Sequence, residues 1–217
     1  MNENTNALNQ TKWLVLIPTK FEYTIVEGKL RVPNSVIEIC GFGPIVPAAK
    51  TIQLIQKHVP DRVLLIGIAG VYDPMLKVGT ASSFSRVACY GVGAGQGQRF
   101  QTAQEMGWDQ WPDEDPNRTI RDQIPLAPLT SITSQVLTVC SAAETDDDVR
   151  IRLEKFPTAK AEDMEGFAVA AACSLCDIPL SIVRGFSNRA GDRDKKNWKI
   201  DEALSAAIQL CHDRIEH

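Results

Sequence analysis

The chain has 217 residues, with 23 lysines and arginines against 27 aspartates and glutamates, and a net charge of −4. This length suits one α/β domain with a substantial buried core. The acidic balance argues against a nucleic-acid-binding protein, which would present a basic face. No apolar run approaches the roughly 20 residues of a membrane-spanning helix, so we expect neither nucleic acid nor membrane as a partner.

The N-terminal stretch MNENTNALNQT is polar and lacks the apolar segment of a signal peptide. We therefore predict a disordered tail at residues 1–11 and a single folded domain at residues 12–217.

The six cysteines do not form a recognisable metal or disulfide framework. Cys40, Cys89 and Cys140 fall in apolar runs, which is typical of buried free thiols. Cys173 and Cys176 form a CxxC pair inside an alanine-rich helix, where core packing is favoured over a redox or zinc role because no second pair exists. Cysteine usage thus indicates a reducing, cytoplasmic compartment, and we expect no metal and no cofactor.

Apolar runs predict buried strands in the first third of the chain, at Trp13–Ile17, Val36–Cys40 and Arg62–Ile66. A helix is predicted from about Val46 to His58. The weak alternation of Tyr23–Arg31 indicates an exposed hairpin strand.

Two small-residue turns follow predicted strands, Gly41-Phe42-Gly43-Pro44 after the second and Gly67-Ile68-Ala69-Gly70 after the third. Glycines at such turns let backbone groups approach a sugar or an anion. A plain tight turn explains two glycines equally well.

The middle of the chain contains predicted strands at Ala81–Tyr90 and Ser134–Ser141, separated by an irregular stretch at residues 91–130. A loop of this length is a binding loop or an insertion. Trp108 and Trp111 favour a surface loop, anchored by the tryptophans or used between subunits, over a cover for an aromatic substrate.

The last third alternates again between predicted helices and strands. Thr145 is a candidate N-cap for a helix over Asp146–Lys155. The acidic cluster Glu162–Glu165 opens a second, small-residue helix, Leu180–Val183 is a buried strand, and Asp201–Ile215 is an amphipathic helix. The alternation along the chain predicts an α/β fold, a three-layer sandwich with a mixed, largely parallel central sheet.

Two polar positions in this region are candidate site residues. Glu165 is predicted at a helix start, where the helix dipole favours a carboxylate. Asn188 is predicted just past the end of a buried strand, where open α/β sheets bind ligands. The alternative is that the acidic cluster only stabilises a helix N-terminus and that Gly191-Asp192 is only a turn.

The strings Asp163-Met164-Glu165-Gly166 and Val183-Arg184-Gly185-Phe186-Ser187-Asn188 resemble the purine nucleoside phosphorylase and nucleosidase superfamily. The resemblance extends over most of Trp13 to Cys211. It implies a phosphorylase/hydrolase-like fold, cleavage of the N-glycosidic bond of a small-molecule purine nucleoside, and a homo-oligomer.

The same resemblance assigns roles around the sugar. Met164 and Glu165 hold the ribose, and backbone groups of Gly43, Ala69 and Gly70 border the sugar and the base.

Glu22, shortly after the first strand, orients or deprotonates the attacking water by this resemblance. A solvated loop carboxylate is the alternative. Asn188 contacts the purine by the same resemblance. Its NH2 group can donate to both N7 and O6 of a 6-oxopurine, whereas it cannot act as an acid as an aspartate can. We therefore predict a 6-oxopurine leaving group.

The longer string Ser187–Asp194, with Trp198, resembles one hydrolytic branch of the superfamily whose substrate carries a carboxylate at its 5′ end. Arg193 is the candidate for binding that carboxylate in a bidentate manner. A solvated turn with a local ion pair is the alternative reading of this segment.

Three other functions stay open. A phosphorylase is disfavoured because Pro18–Glu22 lacks the arginine that phosphorylases of this fold usually show there. An adenine-releasing nucleosidase is disfavoured by Asn188. A non-enzymatic nucleoside-binding module would need no carboxylate to polarise water.

Overall fold

The structure is a computed structural model, and it describes residues 11–131 and 134–215. The predicted tail lies, except for Thr11, outside the described residues. Within the described part of the chain, no helix is long and apolar enough to cross a membrane.

The described strands are β1 (Trp13–Ile17), β2 (Ser35–Ile39), β3 (Arg62–Val71), β4 (Ala81–Ser83), β5 (Arg86–Tyr90), β6 (Gly93–Ala94), β7 (Gln101–Thr102), β8 (Gln123–Pro125), β9 (Gln135–Val139), β10 (Ala159–Asp163) and β11 (Leu180–Arg189). The described α-helices are α1 (Lys20–Val26), α2 (Ile45–His58), α3 (Asp146–Lys155), α4 (Gly166–Leu175) and α5 (Ile200–Ile215).

The central sheet has the order β2-β1-β3-β10-β9-β5-β8, and β11 pairs with β3 and β4. Strands β1, β2, β3 and β11 form parallel pairs, as do β10, β9 and β5. The pairs β3–β10, β4–β11 and β5–β8 are antiparallel. The predicted α/β fold with a mixed, largely parallel sheet is confirmed.

Side-chain alternation along the strands explains the three layers. Leu14 and Leu16 of β1 pack in the cluster that includes α2 and α4, whereas Val15 and Ile17 pack in the cluster that includes α5. Successive strand residues point to opposite faces. A strand that is apolar at every position therefore needs helices on both faces of the sheet.

The predicted helix over Asp146–Lys155 is confirmed, and α3 begins and ends at the predicted residues. Thr145 accepts a hydrogen bond from the backbone of Asp148, whose side chain bonds back to the Thr145 amide, so the two form a capping box. This local signal is readable from the sequence alone.

The predicted hairpin strand Tyr23–Arg31 is wrong, because α1 occupies Lys20–Val26. Thr19 and Glu22 form a capping box there, which fixes a helix start directly after β1. The predicted strand Ala81–Tyr90 is in fact two strands, β4 and β5.

Three predicted boundaries near the site also need correction. The segment Gly67–Gly70 is not a turn, because β3 continues to Val71 through its pairing with β11. Glu162 and Asp163 end β10 and do not open the helix; α4 begins at Gly166 with Glu165 as its N-cap. Asn188 lies inside β11, directly after a register shift, and not past its end.

The cysteines are free thiols, as predicted. Cys40 and Cys89 are buried, but Cys140 is exposed because it follows the last residue of β9 into a surface turn.

Candidate active site

A cavity of about 790 Å³ opens where β3, β10 and β11 approach their ends. The predicted site residues that line it are Glu22, Ala69, Gly70, Met164, Glu165, Asn188 and Arg193. Glu165 and Asn188, which are 23 positions apart in the sequence, therefore line the same cavity. Residues 108 and 111, both tryptophan, do not line it.

Gly43 is the predicted site residue that does not line the cavity. Its backbone N–H donates to Glu165 Oε1 at 3.2 Å, so it orients that carboxylate from behind. Its φ of +77° lies in the left-handed region that glycine adopts at low cost.

Glu22 is buried at the cavity wall and is not a solvated loop carboxylate. Its Oε2 accepts hydrogen bonds from the Thr19 amide at 3.1 Å and the Thr19 hydroxyl at 2.6 Å. Its Oε1 accepts one from the Ile68 amide at 2.9 Å. The capping box that starts α1 therefore also aims this carboxylate into the cavity.

Arg184 forms the centre of a buried charge cluster. Its Nε and Nη2 donate to Asp163 Oδ2 at 3.0 and 2.7 Å, and Nη2 lies 3.2 Å from Glu165 Oε2. The guanidinium has no solvent exposure. Asp163 is held in turn by the Thr138 hydroxyl at 2.6 Å, so the cluster links β9, β10 and β11.

Gly67 makes room for this cluster, since it has no side chain. A Cβ at Gly67 would overlap Arg184 Nη1 and lie 2.8 Å from Glu22 Oε1. Among the described residues, Arg184 Nη1 has no hydrogen-bond partner. A cationic donor and a carboxylate thus converge on one point beside the sugar-binding carboxylate predicted at Glu165.

Burial raises the pKa of the Glu165 carboxyl from its ordinary value of 4.5 to about 7. The charge of Arg184 opposes this, and the Asp163 carboxylate adds to it. Glu165 therefore changes its charge state near neutral pH, which none of the predictions from sequence anticipated.

Asn188 is brought to the cavity wall, but its amide also makes bonds within the chain. Its Oδ1 accepts from the Ser187 hydroxyl at 2.8 Å. Its Nδ2 donates to Arg189 O at 2.7 Å and to Asp192 O at 3.4 Å. The second contact is longer than an ordinary N–H···O bond, so that proton is the one available to a ligand.

The segment after β11 forms the mouth of the cavity. Asp192 organises it: its carbonyl accepts the Trp198 indole N–H at 3.2 Å, and its carboxylate accepts from the Asp194 amide and the Asn197 side chain, both at 2.9 Å. Arg193 is exposed and stacks on the Trp198 ring, 5.2 Å from the centroid. Arg193 therefore lies against an aromatic ring within an exposed turn.

Two site residues were missed from the sequence as contributors, Arg184 and Gly67. The signal for Arg184 was a lone arginine within a buried strand, because a charge is buried there only with partners. Across residues 11–131 and 134–215, no three His, Cys, Asp or Glu side chains are grouped as a metal site.

A family model described as the Phosphorylase superfamily matches residues 7–215. The chain therefore belongs to the Phosphorylase superfamily. This is the superfamily predicted from the strings around Glu165 and Asn188.

Two curated relatives are nucleosidases with different substrates in their names. The chain is 29% identical over 179 residues to the futalosine hydrolase of Streptomyces coelicolor, covering 76% of this chain and 72% of that protein. It is 27% identical over 172 residues to the 5′-methylthioadenosine/S-adenosylhomocysteine nucleosidase of Shewanella loihica, covering 77% and 74%.

Among solved structures, the 5′-methylthioadenosine/S-adenosylhomocysteine nucleosidase of Colwellia psychrerythraea, in complex with adenine, superimposes with a TM-score of 0.77. The match covers 96% of each chain at 20% identity. At this identity the likeness establishes the fold alone.

Proposed function

We propose that this protein hydrolyses the N-glycosidic bond of futalosine, releasing hypoxanthine and dehypoxanthine futalosine in menaquinone biosynthesis. The carrying observation is that Glu22, Glu165 and Asn188 face one cavity. The superfamily membership and the Streptomyces coelicolor relative support the reaction class. We also propose that the protein is cytoplasmic and forms a homo-oligomer.

The sugar end of the reaction rests on the carboxylates. The ribose becomes cation-like as the bond breaks, so nearby negative charge lowers the barrier. Glu165 accepts hydrogen bonds from the ribose hydroxyls, which are stronger than bonds between neutral groups. Glu22 accepts a proton from the attacking water.

The base end rests on Asn188. The purine leaves with negative charge on its ring, and the one Nδ2 proton that is freed when the long contact with Asp192 O is given up is shared between N7 and O6 of hypoxanthine. A site built for one hydrogen-bonding pattern discriminates strongly against the other. Adenine carries an amino group at position 6, which is a hydrogen-bond donor. The Nδ2 group of Asn188 is also a donor, so the two groups cannot form a hydrogen bond with each other.

The adenine-releasing nucleosidase and the phosphorylase are the alternatives. The similarity to the relative from Shewanella loihica supports the adenine-releasing nucleosidase as an alternative. Incubation with futalosine in phosphate-free buffer, with hypoxanthine measured by chromatography, tests the proposal. We expect full turnover without phosphate; release that requires phosphate would identify a phosphorylase.

The raised pKa of Glu165 predicts a pH profile. Below pH 7 the neutral acid predominates, which is a weaker hydrogen-bond acceptor than the carboxylate and carries an O–H donor of its own, so kcat/KM should rise about tenfold per pH unit up to pH 7 and then level off. Because the folded state binds this proton more tightly than the unfolded chain, the same group costs stability as pH rises from about 4.5 to 7.

The measurement is kcat/KM between pH 5 and 9, since this ratio reports the free enzyme. Glu165→Gln is the matched variant: it should have low activity and lack the rising limb. A wild-type profile that is flat between pH 5.5 and 8 would contradict the assigned role.

Replacing Arg193 should change KM for futalosine more than KM for inosine. Its stacking on Trp198 holds a cation at the cavity mouth, where the benzoate carboxylate of futalosine would lie. Arg193→Ala should raise KM for futalosine about tenfold, as expected for loss of a charge-assisted bond of about 1.5 kcal/mol. KM for inosine, which lacks the carboxylate, should change by less than about twofold.

Arg193→Lys is the control, because it keeps the charge and loses the bidentate geometry. It should give an intermediate KM for futalosine. Equal increases in KM for futalosine and inosine would show that Arg193 acts on the shape of the loop and not on the carboxylate.

A further inference from the structure

A second buried charge cluster lies at the cavity wall and has no part in the chemistry above. Glu162 lines the cavity, next in sequence to Asp163. Its Oε1 accepts the Ala143 amide at 2.8 Å, and its Oε2 accepts the Tyr72 hydroxyl at 2.6 Å and pairs with Arg152 Nη1. Both oxygens of this carboxylate thus have partners within the protein, and one of those partners is a buried cation.

Arg152 and Glu162 together hold the turn that contains Ser141 and Ala143. Arg152 extends from α3, and its Nη2 donates to Ser141 O at 2.8 Å. The pair therefore holds the carbonyl of Ser141 and, through Glu162, the amide of Ala143. Val139 and Ala142 of the same turn line the cavity, and we call residues 139–143 the base wall.

Packing places the base wall beside Asn188. Val139 and Ala143 belong to one apolar cluster with Ala190, two residues beyond Asn188. A Cβ at Gly191 would lie 3.1 Å from the Thr145 carbonyl carbon, so the two segments are in close contact. The base wall therefore borders the end of the cavity at which Asn188 would bind the purine.

We propose that the Arg152–Glu162 pair is a positioning device that fixes the base wall against the purine. This inference rests on the proposed function for the identity of the occupant. A buried ion pair contributes little net stability compared with apolar residues of similar volume. Its value here lies in holding two backbone groups of one turn in a single geometry.

The test is a double variant, Arg152→Met with Glu162→Gln, which removes both charges and avoids an unpaired buried ion. The side-chain amide introduced by Glu162→Gln can still accept from the Ala143 N–H, while the bond to Ser141 O is lost. We expect a melting temperature close to that of the wild type and about tenfold weaker binding of free hypoxanthine by calorimetry.

Kinetics separate positioning from catalysis. Because the wall contacts the base equally in the ground state and the transition state, KM for the nucleoside should rise about tenfold while kcat changes by less than about threefold. Arg150→Met is the matched control, since Arg150 lies on the same helix in an exposed ion pair with Glu154. It should bind hypoxanthine as the wild type does.

The possible outcomes are distinct. A folded double variant with unchanged hypoxanthine affinity would overturn the positioning role and leave the proposed function intact. A wild-type protein that releases no hypoxanthine from futalosine would overturn the proposed function and, with it, the occupant that this inference assumes. If the double variant does not fold, Tyr72→Phe, which removes one bond to Glu162, should weaken hypoxanthine binding about threefold, and unchanged binding would overturn the inference.

Discussion

Replacing Arg184 with methionine should destabilise the protein by about 3–5 kcal/mol, a large part of the total stability of a typical domain. Arg184 is fully buried and pairs with Asp163 and Glu165. Its removal leaves two carboxylates in the interior with no cation between them. For a chain of this size the melting temperature should fall by roughly 10 °C or more.

The pH dependence identifies the cause of this loss. Without Arg184 the two acids can be relieved by protonation, so the difference in stability from the wild type should be larger at pH 8 than at pH 5. Arg150→Met, which breaks an exposed pair, should cost less than about 1 kcal/mol at either pH. An Arg184→Met protein that melts within about 2 °C of the wild type would contradict the charge cluster.

Replacing Glu22 with glutamine should lower kcat by about 10²–10⁴-fold while KM changes little. The amide is nearly isosteric, but it cannot accept a proton from water. A glutamine can keep one of the bonds to Thr19 or Ile68, and the capping box tolerates it, so the fold should lose only about 1 kcal/mol.

The measurement combines kcat and KM with an unfolding curve, so that a loss of activity is not mistaken for a loss of fold. Glu27→Gln on the same segment is the control, because Glu27 accepts the exposed Tyr23 hydroxyl and does not line the cavity. Nucleoside binding that survives in a wild-type protein without any turnover would favour the non-enzymatic binding module instead.

The predictions that succeeded rest on local signals. The apolar run Trp13–Ile17 marks β1, and the Thr145 cap with three aspartates marks the start of α3. The strings around Glu165 and Asn188 indicated the superfamily, and the structure places both residues at one cavity.

The predictions that failed depend on partners distant in sequence or on an overlooked cap. The capping box of Thr19 and Glu22 is readable in the sequence, but the weak alternation of Tyr23–Arg31 favours a strand and conceals α1. The partners of Arg184 come from the end of β10, which does not pair with β11, and no local pattern specifies them. The orientation of the Asn188 amide depends on the Ser187 hydroxyl and the Arg189 carbonyl, whose positions only the folded strand supplies.

The most direct test compares futalosine and 5′-methylthioadenosine as substrates of the same enzyme in phosphate-free buffer. The amide of Asn188 matches a 6-oxopurine and opposes the 6-amino group, so kcat/KM for futalosine should exceed that for 5′-methylthioadenosine by at least about 10³-fold. A ratio near one, or faster release of adenine, would contradict the role given to Asn188 and with it the substrate.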